Sequence, residues 1–451
     1  MTRGAAVLAL AASLLTPASA GTAWEKPIAP GLSYRMEIDE AAPRVIHALR
    51  WTLRSPIVTA RSELAGKTVY EDGPTRGRTT VGQMVQESGA LGGINGDYFP
   101  YTGDPLGLAV RDGVLQSQRW PSRSVFAWGR TTAAVAVAEF EGKVTAEGKE
   151  FPLDGVNREC AIHEMILNTP DARFALAKAP TVSAVIRPKA DRLPPSGTVE
   201  GTVELLVPDN PRIEVRPGTF VLSASGKRTA DVTGLRIGET VRITTRSAGF
   251  DWTKMSQAIG GGPKLISGGA IAVNWKTEGF QNDHAAKRHP RTAVGVTAAG
   301  DVWLVAVDGR QTMSVGATLT EMAEIMRRFG CVEALNLDGG GSTALNLMGL
   351  TLNRPSDGQE RPVANGILLH ASLPTSEQPL KIEVRDGTAT VTDASGVPVP
   401  NASVLWAATG DAWIDQGGTL RWLKPGKAVI HAAVGRQRIS FEVAPPILAN
   451  P

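Results

Sequence analysis

Cysteine is nearly absent, with two residues, Cys160 and Cys331, in a chain of 451. So few, without paired spacing, exclude a structural zinc finger of cysteine type. A disulfide between them and two buried small apolar side chains are both consistent with the sequence. Charge of one sign is also lacking: the formal net charge is +3 and there is no long basic run, which argues against a nucleic-acid partner. Long apolar runs are missing too. The longest, Ala5 to Leu15, is too short to cross a bilayer comfortably, so no stable membrane span is expected. It follows Arg3 and precedes Ala18-Ser19-Ala20, so residues 1–20 are read as a cleavable signal peptide, with the secretory route or the periplasm and cell envelope as destination.

What is abundant is turn chemistry: 49 glycines and 30 prolines punctuate short apolar segments. The fold class expected is α+β, a β-rich mixed-sheet catalytic domain with few helices over residues 21–370. Strand patterns recur without helices over about 131–249, which suggests a β subdomain. Residues 371–379 read as a linker, and the short alternating strands of 380–451 as an immunoglobulin-like β-sandwich lacking its disulfide.

Arg291–Leu345 gathers the chemistry. Arg291–Thr297 and Val302–Val307 are apolar runs around a short glycine-containing loop, the pattern of a hairpin. A four-residue loop at Ala298–Asp301 would set Arg291 opposite Asp308. Thr318–Phe329 carries helical spacing at Leu319, Met322, Ala323 and Met326, with Thr318 and Glu321 as a capping box and Gly330 as the stop. The strand from Val332 to Asp338 follows, giving a right-handed strand–helix–strand crossover that puts Asp308 and Asp338 at one sheet edge. Asp-Gly pairs often only cap turns, but two of them beside Arg291 and three successive glycines favour a site. Gly89–Asp97 echoes Gly330–Asp338: each has a helix before it, a glycine stop, a short strand, then Asn-x-Asp on one face.

Several blocks in order carry a resemblance: GINGDYF at Gly93–Phe99, AIGGGP at Ala258–Pro263, RHPRTAVG at Arg288–Gly295, VDGR at Val307–Arg310, NLDGGGS at Asn336–Ser342 and VANG at Val363–Gly366. From about Val45 to His370 the chain resembles the phosphodiester glycosidase family, whose bacterial members are associated with exopolysaccharides. The resemblance implies hydrolysis of a sugar-1-phosphodiester, such as an N-acetylglucosamine-1-phosphodiester, within a glycan or polysaccharide partner. Asp338, Asp97 and Asp308 are then the catalytic candidates. Asn95 and Asn336 would hold sugar hydroxyls or the acetamido group, and Thr292, Ser342, Thr343 and Asn365 are further substrate-binding candidates. Arg291, Arg310, Arg361 and the N–H groups of Gly339, Gly340 and Gly341 would bind the phosphate. No cofactor is required, though Asp97, Asp308 and Asp338 together would suit Ca2+ or Mg2+. A serine hydrolase built on Ser342 is disfavoured, because the Gly-x-Ser-x-Gly elbow is missing. A polysaccharide-binding protein without catalysis is the alternative. Nothing in the sequence speaks to the oligomeric state.

Overall fold

The computed structural model describes residues 21–40, 42–118, 123–373 and 378–445; the expected signal peptide at 1–20 lies outside them, as do residues 374–377 of the expected linker. The Arg291–Thr297 and Asp301–Val307 strands form the expected hairpin, but Arg291 pairs with Val307 and Val296 with Val302. The turn is tighter than a four-residue loop. Gly300, at φ +87°, donates its N–H to the Thr297 carbonyl at 3.0 Å, and Asp301 already belongs to the second strand. The register therefore shifts by one residue, and Asp308 lies beyond the last pair.

This hairpin is the middle of an eight-stranded sheet in the order Thr22–Ala29, Leu32–Asp39, Arg44–Thr52, Asp301–Val307, Arg291–Thr297, Cys331–Leu337, Lys264–Ser267, Ala270–Ile271. Every neighbouring pair is antiparallel. Asp301–Val307 and Cys331–Leu337 consequently run parallel with Arg291–Thr297 between them, so Asp308, Asp338 and Arg291 all fall at one edge. The Leu319–Arg328 helix buries Leu319, Met322, Ala323, Ile325 and Met326 against the sheet, and Thr318 and Glu321 form the capping box. Its apolar stripe and its polar start were both local signals.

A five-stranded sheet faces the first: Leu350–Thr351, Leu345–Leu347, Gly92–Asn95, Asn365–Ala371, Val58–Leu64. Val294, Leu335 and Leu337 from one sheet meet Ile94, Leu345 and Ile367 from the other in one core. Each such fully buried aliphatic side chain contributes roughly 1.5–3 kcal/mol relative to exposure. The Val81–Ser88 helix precedes the Gly92–Asn95 strand, capped by Thr80 and stopped by Gly89 at φ +69°. Both echoed units are thus helix, left-handed glycine and strand, but they serve two different sheets.

Residues 131–249 supply all the strands of a second eight-stranded sheet, in which Gly155–Val156 and Met165–Asn168 form a parallel pair. Its core includes Leu108, Val110, Val125 and Ala127, so it is continuous with the strands that flank it. The C-terminal strands, from Leu380 to Val443, form antiparallel sheets of two, three and two strands around Trp406 and Ile430. They are not insulated from the rest: Leu405, Ala407, Trp413 and Ala433 join the main core. Lys26 donates to the carbonyls of Asn401 and Val404, and Arg354 to that of Ala412. Cys160 and Cys331 are both buried and free. Among the described residues, no helix is long and apolar enough to cross a membrane.

Candidate functional site

The two Asn-x-Asp ends meet where the facing sheets converge. Asn95 donates its amide to the Asp338 carbonyl at 2.7 Å, and Asp338 returns its N–H to the Gly96 carbonyl at 2.9 Å. Asn95 Oδ1 accepts from Thr292 Oγ1 at 2.9 Å and from the Ala344 N–H at 3.1 Å. Asn365 Oδ1 accepts the Asp97 N–H, while Asn336 Nδ2 donates to Tyr98 Oη and the Gly262 carbonyl. Only glycine fits at position 96, because a Cβ there would come within 2.5 Å of both Ile259 Cδ1 and Asn365 Oδ1.

The two carboxylates of these motifs differ. Asp97 is 1% exposed and accepts the N–H groups of Tyr98 and Gly107. A Cβ at Gly260 would sit 2.5 Å from its Oδ2, so it is caged. Burial pushes its pKa up to about 7, against the pull of the two N–H groups and Arg123, with Asp338 adding to the rise. Asp338 is ringed by protein but keeps a partly exposed edge. Burial raises it to about 6, opposed by the Ser342 hydroxyl, Arg361, the Gly339 N–H and Arg123.

Asp308 does not join them. Its Oδ1 accepts the Arg354 N–H at 2.9 Å, and its Oδ2 lies 3.6 Å from His47 Nε2 inside the first sheet. No cluster of three or more His, Cys, Asp or Glu placed to hold a metal ion occurs among the described residues. The three-aspartate cation site expected from the sequence does not fit, since Asp308 has turned its oxygens into the sheet and Asp97 is enclosed by backbone.

Arg291 is also spent internally. Its Nε donates to the Ala317 carbonyl at 2.9 Å and its Nη2 to the carbonyls of His284 and Lys287. It is a clamp on the 281–290 segment, and burial lowers its pKa to about 10. Arg310 and Arg361 stand on either side of the glycine turn. Arg310 Nη2 would be 3.2 Å from a Cβ at Gly340, and Arg361, ion-paired with Asp357 at 2.6 Å, crowds Gly341. Two of the three expected glycine N–H donors are already used: Gly340 donates to the Pro290 carbonyl at 2.8 Å and Gly339 to Asp338. Asn95, Thr292, Asn336, Ser342, Thr343 and Asn365 are all at most 1% exposed. They are the frame beneath the site rather than its surface.

Four residues at the site went unassigned in the sequence. Tyr98, beside Asp97, lies 3.1 Å through its hydroxyl from His284 Nε2. His284 stacks on Phe280 at 5.1 Å between centroids, and burial lowers its pKa to about 4. The 280–290 segment, read as a loop, holds the short Asn282–Ala286 helix. Arg123 lies over the rings of both Tyr98 and Phe280. Clefts of about 650 and 740 Å3 open elsewhere on the surface and include none of these residues.

Fold and site together define a β-rich protein with a paired-carboxylate centre flanked by arginines. Residues 198–370 match the family model described as phosphodiester glycosidase, and over that stretch the chain is similar to this family of hydrolases. Matching relatives include the SPbeta prophage-derived uncharacterized protein YomE of Bacillus subtilis (strain 168), 35% identical over 106 residues, 23% of this chain and 16% of that one. N-acetylglucosamine-1-phosphodiester alpha-N-acetylglucosaminidase of Bos taurus is 37% identical over 110 residues, 22% of this chain and 21% of its own. The Mus musculus counterpart is 48% identical over 67 residues, 15% of this chain and 13% of its own. The chain thus spans about a fifth or less of the length of these relatives. Two solved structures share the fold. A hypothetical protein from Synechocystis superposes with TM-score 0.65 at 21% identity, covering 78% of this chain and 64% of that one. A protein from Burkholderia pseudomallei K96243 does so with TM-score 0.60 at 20% identity, covering 72% and 74%.

Proposed function

We propose that the chain is an exported glycosidase that hydrolyses a sugar-1-phosphodiester in a glycan or cell-envelope polymer, with N-acetylglucosamine as the sugar named by its mammalian relatives. The observation that carries this is the division of labour between the carboxylates: Asp97 is enclosed, whereas Asp338 has an open edge and arginines around it. Asp338 takes a proton from a water that attacks the anomeric carbon. The C1–O bond breaks and its electron pair leaves with the phosphate monoester. Such a leaving group is a weak base and departs without full protonation, so the acid half of the usual two-carboxylate apparatus is dispensable. A base titrating near 6 suits this task at neutral pH. Asp97 supports the reaction from behind, by fixing Tyr98 and the Gly107 turn.

The test is incubation with a synthetic N-acetylglucosamine-1-methylphosphodiester, followed by NMR. Release of the free sugar with inverted anomeric configuration is expected. Retention would make Asp338 a nucleophile instead of a base. Binding without release would make the protein a polysaccharide-binding module.

A further inference from the structure

The cleft of about 740 Å3 opens where the C-terminal strands meet the Val81–Ser88 helix. Gln83 and Gln86 line it from the helix. Arg436 and Arg438 line it from the hairpin of Ala428–Val434 and Gln437–Val443. Asn346 and Thr351, paired across the Leu345–Leu347 and Leu350–Thr351 strands, complete it.

The carboxylates of this cleft are already engaged. Glu360 accepts the Gly82 N–H at 2.8 Å and the Thr351 hydroxyl, and Glu87 accepts the Gln83 amide at 2.7 Å. The two arginines are answered only by backbone. Arg436 donates to the Ala371 carbonyl at 3.0 Å and Arg438 to that of Gly349 at 3.4 Å. Both are exposed, and neither forms an ion pair among the described residues. A Cβ at Gly349 would collide with the Arg438 guanidinium, so glycine there lets the arginine lie across the turn. Each guanidinium has five N–H donors, and most of them remain for an oxyanion.

The cleft is also a neighbour of the carboxylate centre. Glu360 is followed by Arg361, whose guanidinium crowds Gly341 in the turn after Asp338. Successive Cα atoms are about 3.8 Å apart, so a single loop between Thr351 and Asn365 presents one side chain to the cleft and the next to the site. A capped single sugar would end at the site. A polymer of sugar-1-phosphodiester units carries another anionic phosphate at every repeat, and an adjoining cleft with spare guanidinium donors complements it.

We propose that this cleft is a second glycan subsite, holding a neighbouring repeat of a phosphodiester-linked polysaccharide: Arg436 and Arg438 bind its phosphate, and the exposed Gln86 amide bonds a sugar hydroxyl. This rests on the function proposed above and narrows its substrate to a polymer. It also gives the C-terminal strands a part in recognition.

Two double variants, Arg436→Gln with Arg438→Gln and Arg436→Lys with Arg438→Lys, are compared with wild type on two substrates. One is N-acetylglucosamine-1-methylphosphodiester, the other a synthetic hexamer of N-acetylglucosamine-1-phosphate units joined by phosphodiesters. For the glutamine pair the hexamer KM should rise roughly 10-fold or more, while KM and kcat for the methyl compound stay at wild-type values. The lysine pair should recover part of the loss, and it carries the test if the glutamine pair does not fold. A wild-type hexamer KM in a folded glutamine pair, or an equal loss on both substrates, would overturn the assignment. Calorimetry on an Asp338→Asn background measures binding of the hexamer and of the neutral N-acetylglucosamine hexamer without phosphates. Equal affinity for the two would refute an anion subsite. If the wild-type chain releases no sugar, the proposed function fails by itself, and calorimetry still judges the cleft: unchanged affinity for the phosphodiester hexamer in the glutamine pair refutes it, lost affinity upholds it.

Discussion

Asn95 and Asp338, 243 positions apart, are joined by a 2.7 Å hydrogen bond from the side-chain amide of one to the backbone carbonyl of the other. The bond crosses from one sheet to the other, so the open carboxylate is aimed by a residue of the facing layer. The same amide oxygen accepts from Thr292 and Ala344.

Replacing Asn95 by alanine leaves these buried donors without an acceptor. A loss on the order of 2–4 kcal/mol is expected, read as a lower urea midpoint with unchanged slope. A midpoint equal to wild type would show that the two layers are held together by their apolar contacts alone.

Asp338→Asn should keep the fold, because the side chain is partly exposed, and should slow turnover by about 100- to 10,000-fold. In the wild type the charged form is the active one, so kcat/KM should fall tenfold per unit as pH drops below about 6. The stability consequence has the opposite sense. Raised carboxyl pKa values mean the folded chain binds these protons more tightly than the unfolded one. Asp97 and Asp338 therefore favour the fold below the ordinary carboxyl range, and that contribution is lost as pH rises through about 6 and 7. Melting curves of Asp338→Asn against wild type should diverge across that window; parallel curves would contradict it.

Arg291→Ala is expected to act on stability before affinity, since one buried and two part-buried carbonyls lose their donor. The cost is on the order of 3 kcal/mol. Arg291→Lys should not restore it, because one ammonium lacks the fork that reaches all three. A normal melting temperature with a raised KM would return Arg291 to the role of phosphate ligand.

Removing residues 380–451 takes Leu405, Trp413 and Ala433 from the main core. The truncated chain should lose cooperative folding, and Trp413→Ala alone should cost about 3–5 kcal/mol. Two independent calorimetric transitions in the full chain would show instead that the C-terminal strands are a separate unit.

The parts of this fold legible in sequence are those fixed locally. The stripe Leu319–Met322–Met326, the Thr318–Glu321 cap and the Gly89 and Gly330 stops each depend on residues close together in sequence, at most about two helical turns apart. The edge shared by Asp338 and Arg291 followed from strand polarity. The hairpin register did not, because a turn shorter by one residue moves every pair. Asp308 was misassigned for a related reason: its partners, His47 and Arg354, come from distant segments that no spacing rule connects. Arg123, Phe280 and His284 were invisible because the stack forms only after three separate segments have docked. Thr292, Asn336 and Asn365 bond to Asn95, Tyr98 and the Asp97 N–H, but sequence cannot distinguish a polar residue that lines a cavity from one that braces it.

The two free thiols sit in different layers, Cys331 against the helix that covers the central sheet and Cys160 within the eight-stranded subdomain. Burial pushes both up to about 12, so neither reacts readily with a thiol reagent while its surroundings stay closed. Each cysteine therefore serves as a natural reporter of local opening. Labelling rates in graded denaturant, resolved by peptide mass, would reveal whether the inserted sheet unravels before the layer that carries Asp338.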